Sequence, residues 1–202
     1  MSRSACSRCV RPATHCLCPL IPALASRTRV VVLQHPAEAR HPLNTARLAA
    51  LGLSSARVLV GERFEPAQWQ VPGHAPHLLF PGPEARSLAP GGRSASDLPL
   101  LLVVPDGTWR HARSLLHRNP EVAGLPRLAL PTGTGARYRV RHAREEGALS
   151  TLEAIVHALN ALEAPACYDA LLRPFDALVE GQIAGMGAEV YERHHVRRQG
   201  TR

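Results

Sequence analysis

The sequence predicts an α/β fold, a mainly parallel sheet with flanking helices, preceded by a small cysteine-rich knuckle. Three observations carry that expectation. Apolar, β-branched runs at Arg29–Gln34, Ala56–Val60 and Leu98–Val104 alternate with polar turns and helix-like stretches, which is the strand, loop, helix, strand order of parallel sheets. Dense polar clusters, "HPAEARHPLNT" and "PDGTW", stand just after two of those runs. Four of the 5 cysteines fall within the first 18 residues, ahead of the first strand. The expected division is a knuckle over residues 1–22 and one α/β domain over 23–202.

Composition sets the frame. With 45% hydrophobic and 20% charged residues, a chain of 202 residues can bury one sizeable core and is not a disordered polyelectrolyte. The formal net charge is +8, and every basic residue in the Lys+Arg count of 24 is Arg. An all-Arg basicity reflects coding bias in part, yet guanidinium groups also suit phosphate and base contacts, so a polyanionic partner is expected. No apolar run reaches the ~20 residues of a membrane span, and no long apolar leader stands at the N-terminus. The expectation is therefore a cytoplasmic protein, with reduced thiols, no membrane partner and a monomeric state.

Taken in order, Cys6, Cys9, Cys16 and Cys18 form a C-x2-C-x6-C-x-C pattern. Two tight pairs can offer four soft thiolates to one tetrahedral zinc ion, and such an ion would order a segment too short to build a core. The alternative is four unrelated thiols, and His15 either replaces a cysteine as ligand or stands beside the metal. Arg29–Gln34 reads as the first buried strand, followed by a polar turn and a helix from about Thr45 to Leu53. Ala56–Val60 is the second strand. Residues 61–92, rich in Pro and Gly, read as loops with one short strand at His77–Phe80. Leu98–Val104 should be a central strand ending at Pro105, with Asp106-Gly107 as the turn and a helix over Thr108–Arg118. Strands are expected at Leu125–Leu130 and Arg137–Arg141. Ser150-Thr-Leu-Glu153 fits a capping box opening a helix to about Leu162, and Cys167–His195 reads as one further helix interrupted by Gly181, Gly185 and Gly187.

The strand ends hold the chemistry. In parallel α/β sheets ligands bind outside the carboxyl ends of the strands, so Asp106 is placed to accept a proton, to hold a ligand amine or hydroxyl, or to cap the next helix. Trp109 is either core or a platform for a flat ring. His35, Glu38 and Asn44 lie in the turn after the first strand, where His35 could also serve only to shape the turn. Arg40, Arg137, Arg139 and Arg141 are natural phosphate contacts, each with the alternative of a solvated surface charge.

Together the N-terminal cysteine pattern, "QHPAEARHPLNT", "PDGTW" and "LSTLEA" resemble the DTW-domain proteins, and the likeness runs from Cys6 to at least Ala154. Asp106, Thr108 and Trp109 match the family's Asp-x-Thr-Trp signature. The resemblance implies a tRNA-uridine aminocarboxypropyltransferase, related in fold to the knotted SPOUT-type methyltransferases, that uses S-adenosylmethionine as co-substrate. It implies catalytic roles for Asp106, Thr108 and Trp109, with cofactor contacts from Asp106, Ser150, Thr151 and Glu153. RNA contacts would come from His35, Arg40, Asn44, Arg137, Arg139 and Arg141. A SPOUT relation would thread the C-terminal part as a trefoil knot. Arg3, Arg8 and Arg11 would let the knuckle grip tRNA, or the knuckle is only a structural staple; four thiolates leave no open position for a catalytic zinc. Two other readings stand beside this one: a SPOUT-type RNA methyltransferase, and a zinc-bearing RNA-binding protein without catalysis. A hydrolase fits poorly, since the chain has no G-x-S-x-G, H-E-x-x-H or Walker A pattern.

Overall fold

A computed structural model describes residues 4–41, 43–88, 98–131, 133 and 149–186. Among them six strands form one parallel sheet: β1 (Arg29–Gln34), β2 (Ala56–Val60), β3 (Ala75–Leu79), β4 (Arg86–Ser87), β5 (Leu100–Asp106) and β6 (Arg127–Ala129), in the order β2-β1-β5-β3-β6-β4. The helices are α1 (Pro36–Ala39), α2 (Ala46–Gly52), α3 (Pro66–Trp69), α4 (Trp109–Arg118), α5 (Pro120–Ala123), α6 (Thr151–Leu162) and α7 (Arg173–Met186).

Strand alternation sorts these helices onto two faces. Val30 and Val32 of β1 and Leu102 and Val104 of β5 bury one face against α2, α6 and α7. The intervening Val31, Leu33, Leu101 and Val103 bury the other against Trp69 of α3, Leu115 and Leu116 of α4 and Val122 of α5. Near-continuous apolar runs in β1 and β5 follow from being covered on both sides.

Most expected elements are present with shifted ends. The strand expected at Leu98–Val104 extends through Pro105 to Asp106. Proline is tolerated because Asp106 O, which accepts from His35 N, faces β1, so the missing N–H of Pro105 faces β3, whose ladder has already ended at Val103. The strand at His77–Phe80 is instead Ala75–Leu79, and that at Leu125–Leu130 is trimmed to Arg127–Ala129. The 61–92 region holds α3 and β4 besides loops. Of the single helix expected at Cys167–His195, the described part is a 3-10 turn, Asp169–Leu172, followed by α7, with Pro174 in the first helical turn; Gly181 and Gly185 do not break it, and residues 187–195, Gly187 among them, lie outside the described residues. The strand expected at Arg137–Arg141 lies outside the described residues.

The knuckle joins the domain at the amino ends of the strands. Leu17 is buried in the core, Leu24 N donates to Gly52 O at 2.9 Å, and Ser54 N returns a bond to Leu24 O at 2.8 Å. Gly52 is needed there: a Cβ would lie 2.6 Å from Leu171 Cδ2 and 3.4 Å from Pro22 Cδ.

Candidate functional site

The carboxyl end of the sheet holds the polar cluster. Parallel register sets Gln34, the last residue of β1, beside Asp106, the last of β5, and each stands two residues after a valine, Val32 and Val104, on the face toward α2 and α6. Gln34 Nε2 donates to Asp106 Oδ2 at 2.7 Å, and the Thr151 hydroxyl, at the start of α6, donates to Asp106 Oδ1. Gln34 also pairs with Asn44, Nε2 to Asn44 Oδ1 at 3.1 Å and Oε1 from Asn44 Nδ2 at 3.3 Å. Asn44 Nδ2 reaches the Glu38 and Ala39 carbonyls at 3.3 Å each, and Asn44 Oδ1 accepts from Arg47 N at 3.2 Å. One network thus ties α1, the start of α2, β1, β5 and α6 around a carboxylate only 8% exposed.

Asp106 does not cap α4. Thr108 does, accepting from His111 N at 3.2 Å. Ser150 and Glu153 close the capping box of α6, Ser150 N donating to Glu153 Oε2 at 2.8 Å and Glu153 N to Ser150 Oγ at 3.2 Å. Both helices therefore aim their amino ends, and the partial positive charge carried there, at the edge where Asp106 sits.

Between these two helix starts opens a cavity of about 540 Å³. Val104, Pro105, Phe80, Trp109, Leu128, Leu130 and Ala154 make it largely apolar, while the Thr151 side chain and the backbone at Gly107 and Gly133 supply polarity. Trp109 is half-buried, edge-on to Phe80 with centroids 5.4 Å apart, and the Arg113 guanidinium lies 6.0 Å from its ring centre. That volume and lining suit a flat aromatic ring carrying a polar tail.

Behind Gly107 lies a second cluster. His35 Nδ1 accepts from Ala37 N at 3.2 Å, capping α1, which leaves the ring proton on Nε2 facing Glu62 Oε1 at 3.5 Å. The His35 ring stacks on His111 with centroids 4.1 Å apart, and His111 Nδ1 faces Glu38 Oε1 at 3.5 Å. Gly107, with φ of +150°, lets α1 and α4 close: a Cβ there would meet His111 Cβ at 2.8 Å. Arg40 is exposed at the end of α1. Arg137, Arg139 and Arg141 lie outside the described residues.

At the N-terminus the four cysteines converge. Cys6 and Cys18 sulfurs are 3.6 Å apart, Cys9 and Cys16 sulfurs 3.7 Å apart, and all four lie within 4.8 Å of one another. A tetrahedron with Zn–S bonds of about 2.3 Å has S···S edges of about 3.8 Å, so the set could hold such an ion. Backbone amides of Cys9 and Arg8 lower the Cys6 thiol to about 6, whereas burial and the neighbouring sulfurs push Cys18 up to about 12. Four thiols this close ionise one after another, because each thiolate disfavours the next. The knuckle's attachment is at the opposite edge of the sheet from Asp106, one strand length or about 17 Å away.

The description "DTW domain" belongs to a family model that matches residues 3–183. This chain belongs to the DTW-domain family. Three similar proteins are each named tRNA-uridine aminocarboxypropyltransferase 2: one from Macaca fascicularis, 34% identical and covering 90% of this chain and 64% of its own length; one from Drosophila melanogaster, 33% identical over 90% and 76%; and one from Mus musculus, 32% identical over 90% and 64%. The chain thus spans less than two thirds of the macaque and mouse relatives. No solved structure matched it.

In this DTW-domain chain the signature residues do different work. Trp109 lines the cavity, Asp106 lies beside it through its bond from Thr151, which does line it, and Thr108 caps the helix that carries Trp109. Gln34 is the member that reading the sequence missed. Its signal was present: it continues the Val30, Val32 face, so an amide at that position must be buried and must find a partner.

Proposed function

We propose that this DTW-domain protein is a transferase that moves the 3-amino-3-carboxypropyl group of S-adenosylmethionine onto N3 of a uridine in tRNA and releases methylthioadenosine. The observation that carries the reading is Asp106, a buried carboxylate fixed by Gln34 and Thr151 at the strand end beside a cavity of cofactor size. The names of the relatives supply the group and the acceptor. The co-substrate supplies an electrophilic Cγ: N3 forms the new N–C bond, the C–S bond breaks toward sulfur, and the N3 proton leaves to a base or to water.

The chain's own residues divide the remaining work. Phe80 and Trp109 offer the walls for the adenine. Asp106 accepts from two protein donors, which stabilises it as an anion and suits it to hold the ammonium and sulfonium end of the co-substrate. Thr151 contacts both the cavity and Asp106, while Ser150 and Glu153 keep the helix start in place. Thr108 positions Trp109, and His35 and Asn44 hold α1 beside the corner where uridine enters. Zinc on Cys6, Cys9, Cys16 and Cys18 is structural in this reading, and residues 1–22 act as a module distinct from the catalytic 23–202. The SPOUT relation with its knot, and action as a cytoplasmic monomer, belong to the same proposal.

The test incubates the protein with S-adenosylmethionine and unmodified tRNA, digests the RNA and identifies nucleosides by mass. Aminocarboxypropyluridine with methylthioadenosine is expected, and Asp106→Asn should lower kcat/KM at least ~100-fold, as expected when a preorganised charge facing the transition state is removed. A methylated nucleoside with S-adenosylhomocysteine would overturn the reaction, and near-wild-type turnover by Asp106→Asn would overturn the role given to Asp106.

A further inference from the structure

We infer that the solvent face of α4 is the track that takes the RNA backbone, an assignment that rests on the tRNA reading and gives it a place on the surface. The helix buries Ala112, Leu115 and Leu116 against the sheet and leaves Arg110, Arg113 and His117 exposed. Those three follow the i, i+3, i+7 spacing of one helical stripe, about 10 Å long, enough to meet two or more adjacent phosphates.

Position, charge and rigidity favour this face. The stripe starts one residue after Trp109, which lines the cavity, and Arg113 reaches back over the Trp109 ring at 6.0 Å. No Asp or Glu occurs between Asp106 and Glu121, and Glu62, near the far end, is held by Arg118. Arg40, at the end of α1, is also exposed, and α1 packs on α4 through the His35–His111 stack. Both ends of α4 are fixed, Thr108 capping the start and Asn119 Nδ2 donating to Leu115 O at 2.7 Å at the finish, so guanidinium groups are presented without ordering a loop first. Arg is the side chain suited to such contacts, and phosphate contacts set the register of a nucleic acid while the reacting base is presented elsewhere.

The experiment measures tRNA binding by fluorescence anisotropy across a salt series, together with steady-state transfer, for wild type, Arg110→Gln, Arg110→Gln/Arg113→Gln and, as a control on the edge strand, Arg57→Gln. The double variant should raise the KM for tRNA roughly 10-fold with kcat within about twofold, and should reduce the salt slope of log K by about 1.4 to 1.8, from about 0.7 to 0.9 per lost phosphate contact. Arg110→Lys/Arg113→Lys should restore most of the slope, since a point charge releases the same counterions. An unchanged slope and KM in the double Gln variant, with wild type making product, would overturn the track. If wild type binds tRNA with the full slope, loses it in the double variant, and makes no aminocarboxypropyl product, the transfer reaction fails and the track stands.

Discussion

Replacing Gln34 by Leu removes the donor that faces Asp106 while keeping the side chain's bulk. Gln34 is 2% exposed, so water cannot substitute for the lost amide. The bond to Asp106 Oδ2 at 2.7 Å has a carboxylate acceptor, the class worth about 1.5–3 kcal/mol. The Asn44 side chain loses its two contacts with Gln34 but keeps Glu38 O, Ala39 O and Arg47 N, which limits the added cost to about 1 kcal/mol. The expected loss is about 2–4 kcal/mol. At about 2–4 °C per kcal/mol for a chain of this size, Tm should fall by roughly 4–16 °C. The measurement is urea denaturation at pH 7, supported by a double-mutant cycle with Asp106→Asn in which the coupling should be at least about 1 kcal/mol. A cost below about 0.5 kcal/mol, or strict additivity in the cycle, would refute the claim that this amide holds the carboxylate.

Other outcomes follow from the same geometry. Gly107→Ala, with its Cβ 2.8 Å from His111 Cβ and φ of +150°, should cost about 2–3 kcal/mol in denaturation and weaken ligand binding at the corner, read by calorimetry. Burial works against ionisation of Glu163, but the Tyr168 hydroxyl and the Thr28 and Arg27 amides outweigh it and hold its carboxyl below the usual range. Because the folded value is lowered, its stabilisation is present above about pH 4.5 and is lost as pH falls through the folded value; Glu163→Gln should cost about 1 kcal/mol at pH 7, and the gap from wild type should close in acid. Metal analysis should find one ion per chain, and Cys6→Ser or a chelator should remove it and lower Tm, more so in mild acid where protons compete for the thiolates.

What could be read from the chain follows where its side chains are constrained. The runs at Arg29–Gln34 and Ala56–Val60 coincide with β1 and β2 because β-branched residues bounded by turns leave few alternatives. The capping box at Ser150–Glu153 was equally legible, being a local pattern with local bonds. Pro105 misled, since whether a proline is tolerated in a strand depends on where the neighbouring strand stops. The short α3 was missed because its burial of Trp69 is decided by tertiary contact. Around the site, Asp106 and Thr151 are 45 positions apart, and their contact comes from the sheet and its covering helix. The Gln34–Asp106 pairing arises in the same way, from the register of β1 on β5. The His35–His111 stack had no signal at all in either segment alone.

The two faces of the sheet bury separate apolar clusters, one beneath α4 and the other beneath α6, and the cavity lies where the starts of those two helices meet. A molecule seated there touches both layers at once and so acts as a tie between two hydrophobic units packed on opposite faces of the strands. Its binding free energy is therefore spread over the whole domain, and amide exchange should slow together in α4 and α6 when the cavity fills, not at the rim alone.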